Sequence, residues 1–91
     1  MEKLFEIIKK AKEDFNINMH LTIEKGLDWF ILVHYPGEYF FEDSYDGYKT
    51  VMARVNGIKD EKEAFSKVCR QLESWIEKNE KGLIQFKKWN S

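Results

Sequence analysis

Cysteine, proline and glycine are scarce in this chain, and each shortage removes a class of answer. The one cysteine, Cys69, rules out an internal disulfide and any zinc site built from several thiolates. A chain so poor in cysteine is expected in a reducing cytosol. The five glycines (Gly26, Gly37, Gly47, Gly57 and Gly82) stand singly, so no glycine-rich loop is present to cradle a phosphate. There is no excess of charge of either sign: 15 basic residues meet 16 acidic ones, for a net charge of −1. A general polyanion binder needs a basic excess, and wholesale imitation of DNA needs an acidic one. Long apolar runs are missing too. The opening MEKLFEIIKKAKEDF mixes acids into its apolar positions and reads as neither a signal peptide nor a membrane span.

Aromatic residues are plentiful: seven Phe, four Tyr and three Trp. Residues 1–91 are expected to form a single domain, and a domain of this size buries only about two-thirds of its unfolded surface. Large rings supply the most buried area per residue and compensate for a thin core.

Periodicity divides the chain into elements. Leu4, Ile7, Ile8, Ala11 and Phe15 form one stripe of an amphipathic helix. The period then changes to two: Ile17, Met19, Leu21 and Ile23 alternate with Asn18, His20, Thr22 and Glu24, as in a strand with one wet face. After Gly26, the run from Trp29 to Val33 is apolar on both faces and suits a central strand. Pro36-Gly37 is the pair expected in a type II turn, and residues 38–42 read as a third strand. Tyr48, Val51, Met52 and Val55 have helical spacing, with Asn56-Gly57 as the stop. The alternation of Val51, Ala53 and Val55 leaves a fourth strand open over the same residues. Asp60, with Glu63 three positions on, caps a final helix whose stripe is Phe65, Val68, Cys69, Leu72, Trp75 and Ile76 and which ends near Asn79. The tail at 83–91 reads as a short extra strand or as a segment laid over the domain. The expectation is an α+β fold in the order α-β-β-β-α-α, a three-stranded antiparallel meander, or four strands, with helices on one face.

Pairing the strands places Leu21 opposite Ile31 and His20 opposite Leu32. Met19, Leu21, Ile31, Val33 and Phe40 then face the helices. His20, Thr22, Phe30, Leu32, His34, Tyr39 and Phe41 share the other face, which needs a cover. Phe86 and Trp89 of the tail are one expected lid; a docked partner, or a second copy in a homo-oligomer, is another.

The chemistry-bearing residues are few. His20 and His34 fall on one sheet face, but neither H-x-x-x-H nor C-x-x-C spacing is present, so no metal or cofactor is expected. Cys69 lies in an apolar stripe and reads as a small hydrophobe. Ser44, Ser66 and Ser74 lack the context of a nucleophile. No catalytic residues are assigned, and the chain reads as a non-enzyme.

Two surfaces remain. GEYFFEDSYDGY, residues 37–48, carries four carboxylates and five aromatic rings with no Lys or Arg. Carboxylates without a neighbouring base create a local negative field, and aromatic rings anchor protein interfaces. Glu38, Tyr39, Phe41, Glu42, Asp43, Tyr45, Asp46 and Tyr48 are therefore the candidate contacts for a protein partner with a basic groove, such as a nuclease or a nucleoprotein complex. The plainer reading makes Glu38 a turn residue, Glu42 a guard against edge-to-edge pairing, and Asp43 or Ser44 a cap. The second surface is the tail, where Lys81, Phe86, Lys87, Lys88 and Trp89 interleave cations with rings, as in a nucleic-acid-binding module.

Two resemblances bear on these readings. The helix-strand order is similar to that of the double-stranded-RNA-binding domain, which carries a lysine cluster at the start of its last helix. Here that position reads KDEKEAF, and Asp60, Glu61 and Glu63 offset Lys59 and Lys62. The chain also resembles small phage-encoded inhibitors of the anti-CRISPR type, which block the Cas9 nuclease. The resemblance lies in an N-terminal helix (LFEIIKKAKEDF), a meander ending in an acidic strand (EYFFED) and C-terminal helices, over about residues 3–79. It implies a non-enzymatic inhibitor, some members of the class presenting carboxylates to the basic cleft that otherwise receives DNA. With a net charge of −1, any such mimicry is confined to Glu38, Glu42, Asp43 and Asp46.

Overall fold

The structure, a computed structural model, describes residues 1–36, 45–46 and 49–90. Helix α1 spans Glu2–Phe15, and its stripe turns Leu4 and Ala11 fully inward. It stops at Asn16, whose backbone is left-handed (φ 56°), a conformation asparagine tolerates better than most residues. The Asn16 N–H donates to Lys12 O at 3.0 Å, and its side-chain amide donates to Asn90 O at 3.1 Å. The end of the first helix is thus tied to the far end of the chain.

The sheet contains β1 (His20–Lys25), β2 (Trp29–Tyr35), β3 (Tyr45–Asp46) and β4 (Lys49–Ile58), in the order β1-β2-β4-β3 with every pair antiparallel. Helices α2 (Glu61–Lys78) and α3 (Glu80–Trp89) follow. Counting the three long strands, the order is the expected α-β-β-β-α-α, a mixed α+β fold. The expected strand at 38–42 lies outside the described residues.

The β1–β2 register is Leu21 to Val33, Ile23 to Ile31 and His20 to His34. It differs by two positions from the pairing drawn from the sequence. An even shift keeps every side chain on its face. Ile31, Val33, Ala53 and Val55 accordingly join Leu4, Leu72 and Leu83 in one core on the helix side.

The helical reading of residues 48–55 is corrected, because β4 begins at Lys49 and runs through Val55. A bulge explains the misleading spacing. Val33 pairs with Ala53 but His34 with Val51, so Met52 is an extra residue, and Met52 and Ala53 are both buried. Two adjacent inward residues break the two-residue period and imitate helical spacing. Gly57 also has another role than a helix stop. It has φ +76° and lies between Asn56 and Ile58, where the pairing to Phe30 and Trp29 slips by one residue. The left-handed glycine makes a second bulge.

Helix α2 begins as its sequence indicates. Asp60 accepts a hydrogen bond from the Glu63 N–H at 2.8 Å, satisfying one of the free donors of the first turn. Ala64, Phe65, Val68, Cys69, Leu72 and Trp75 are buried. Asn79 ends α2 and starts α3, its N–H donating to Trp75 O and its carbonyl accepting from the Leu83 N–H at 2.9 Å.

The tail is therefore helical, and it does not cover the second sheet face. Leu83 and Phe86 enter the helix-side core, and the Phe86 ring meets Tyr35 edge-on at 5.3 Å. Trp89, the other half of the expected lid, is 70% exposed.

Candidate functional site

Thr50 is the fixed point beside the acidic-aromatic stretch. It is fully buried, pairing with Tyr35 on one side and Tyr45 on the other. Tyr35 of β2 and Tyr45 of β3 therefore flank the same residue of β4. Asp46 pairs with Lys49 on the neighbouring strand. Of the candidate docking residues, Tyr45 and Asp46 are placed as β3. Glu38, Tyr39, Phe41, Glu42, Asp43 and Tyr48 lie outside the described residues.

The second sheet face carries the two histidines of the chain. His20 and His34 share it as alternation requires, with ring centroids 5.3 Å apart and planes tilted by 52°. His34 is half-buried, and its Nδ1 finds no hydrogen-bond partner among the described residues. Burial first, then the charges of Lys49 and His20, hold its pKa below the ordinary 6.5. At neutral pH it therefore offers an uncharged imidazole. Leu32, on the same face between Thr22 and Arg54, is only 5% exposed, while Phe30 is half-buried. Among the described residues no three His, Cys, Asp or Glu side chains gather into a metal-holding group.

The tail's cations and rings do not share one surface. Lys81, Lys87 and Lys88 are exposed on α3, but Phe86 is 7% exposed and committed to the core. Of the two rings of the tail only Trp89 is exposed, so the interleaving seen in the sequence separates once it is wound into a helix. Cys69 is buried, and burial is the main cause that pushes its thiol above the usual value. A raised pKa disfavours the thiolate and fits a packing role.

Two features escape a reading of the sequence. The Arg54 N–H donates to the side-chain oxygen of Gln71 at 2.9 Å, so a polar residue of α2 bonds the backbone of β4. Nothing in the local sequence marks Gln71 for this. The other feature is a groove between α1 and α2. Its apolar members, Ile7, Phe15 and Ile76, stand in the predicted stripes yet remain only half-buried.

Compared with protein families, curated proteins and solved structures, the chain matches none.

Proposed function

We propose that this chain is a non-enzymatic binding protein that docks the acidic-aromatic stretch at residues 37–48 on a basic site of a target protein. The observation that carries this reading is the pairing of Thr50 with both Tyr35 and Tyr45. Residues 36–44, with three carboxylates, three rings and no cation, are bracketed by two residues that pair with one buried residue of the sheet. Anchoring limits the conformational freedom lost on binding, so more of the contact energy remains as affinity. The carboxylates steer a basic partner, and the rings supply the buried area that holds it. Phe30 and His34 on the adjoining sheet face extend the apolar part of such a surface.

Within that reading, an inhibitor of the phage or mobile-element type is the form we favour, its carboxylates occupying a site that otherwise receives a polyanion. The cytosol is the proposed setting, since Cys69 is a free, buried thiol. Among the described residues no helix is long and apolar enough to cross a membrane.

The rival is nucleic-acid binding through Lys81, Lys87, Lys88 and Trp89. The core position of Phe86 weakens it by removing one of its two rings. Capture experiments from nuclease-treated lysate separate the two. A protein target is retained after nuclease treatment and is unaffected by Lys87→Glu with Lys88→Glu. Retention that disappears with the nuclease, or with that double substitution, favours the rival.

A further inference from the structure

Helices α1 and α2 lean together over the sheet without closing completely. Between them lies a groove of about 410 Å³. Its floor is Ile7, Ala11, Phe15 and Ile76. Leu4, Ala11, Leu72 and Trp75 already bury the inner stripes of the two helices. Ile7, Phe15 and Ile76 therefore widen the apolar stripe beyond what the core encloses.

The rim has a definite sign. Asp14, Glu73, Glu77 and Glu80 line the groove with one cation, Lys10, whose ammonium is 3.2 Å from Asp14. Glu73 lies 3.4 Å from Lys3. Among the described residues Glu77 and Glu80 are paired with no cation. Helix stability explains only part of this row. Glu73 and Glu77 are four residues apart, a spacing at which like charges repel. Glu77 also lies in the last turn of α2, where the macrodipole favours a cation. Asp14 and Glu73 have lysine partners and Glu80 suits the first turn of α3, so Glu77 is the acid from which helix stability gains nothing, along the edge of an uncovered apolar floor.

We propose that this groove docks a basic amphipathic helix of a partner protein. Aliphatic side chains one turn apart on the incoming helix would pack on Ile7, Phe15 and Ile76, as in helix-in-groove recognition. Its flanking Lys or Arg residues would meet Glu73, Glu77 and Glu80. The acidic rim repels nucleic acid and anionic lipid, which removes two other occupants. The proposal uses no residue of the stretch at 37–48 and stands whether or not that stretch binds anything. The competing occupant is α3 of a second copy, where Ile84 is 42% exposed and Lys81 and Lys88 lie one turn to either side.

The test is calorimetric titration of the full chain with a synthetic Leu/Lys amphipathic helix of about four turns, beside its Leu/Glu counterpart. The Leu/Lys peptide should bind and the Leu/Glu peptide should not. Glu77→Lys with Glu80→Lys should weaken binding by about tenfold or more, while Glu24→Lys on the exposed edge of β1 should leave it unchanged. Near-ultraviolet circular dichroism of the double variant should match the parent, since both positions are exposed. Three results would overturn the proposal: equal affinity for the two peptides, binding undiminished in the double variant, or no binding to the Leu/Lys peptide. A fourth would be a dimer, seen by sedimentation without peptide, that the double variant dissolves. That outcome assigns the groove to a second copy.

Discussion

His20 and His34 stand directly opposite each other on β1 and β2, their ring centroids 5.3 Å apart. Burial of His34, with the charges of Lys49 and His20 behind it, has a consequence for pH. His34 is half-buried beside Lys49 and His20, and its folded pKa lies below the 6.5 of an unperturbed imidazole. Between those two values the unfolded chain binds more protons than the folded one. Its contribution to stability is therefore complete above about pH 6.5 and is lost as pH falls through the lower, folded value. Urea midpoints should decline over that interval in the parent. In His34→Gln the decline should be smaller, because one source of unequal proton uptake is gone. Identical profiles would mean that His34 titrates normally in the fold.

The two rings of the tail should behave very differently. Phe86 is packed against Tyr35 in the core, and Phe86→Ala should cost about 3–5 kcal/mol, a large share of the stability of so small a domain. Trp89 is 70% exposed, and Trp89→Ala should cost less than about 1 kcal/mol. Chemical denaturation of the two variants measures both. Equal costs would contradict the packing of α3.

Glycine substitutions separate a conformational requirement from mere small size. Gly57 has φ +76° and open space around an added Cβ, so Gly57→Ala should be destabilising through backbone strain alone, by about 1–2 kcal/mol. Gly26 has equally open surroundings without a positive φ, so Gly26→Ala should fall within about 0.5 kcal/mol of the parent. Thermal unfolding of the pair checks the bulge in β4.

These residues also show what the sequence discloses. The shared face of His20 and His34 follows from simple alternation, and a register error of two positions leaves it intact. The Asp60 cap and the stripe of α2 are legible because they depend on residues within a few positions of each other. Residues 48–55 mislead because the bulge at Met52 and Ala53 places two consecutive side chains inward, and that bulge exists only against β2. The tail misleads for a similar reason. Gly82 resembles a stop, yet it sits in the first turn of α3, where its cost of about 1 kcal/mol is offset by burying Leu83 and Phe86. The α1–α2 groove is legible only in part. Its apolar residues belong to visible stripes, but whether a stripe is covered depends on how the helices pack.

Removing the cap should have a modest and purely structural effect. Asp60→Ala leaves the Glu63 N–H without its 2.8 Å acceptor and should cost about 1 kcal/mol. Asp60→Asn should recover most of that loss, and guanidinium denaturation of both variants tests it. Full recovery of stability in the alanine variant would contradict the cap.

The decisive measurement is the affinity of the captured target protein for the parent and for the triple variant Glu42→Lys, Asp43→Lys and Asp46→Lys, at matched ionic strength. Docking through the acidic-aromatic stretch predicts a loss of at least about a hundredfold, with thermal unfolding nearly unchanged. Undiminished binding by a triple variant that remains folded would contradict it.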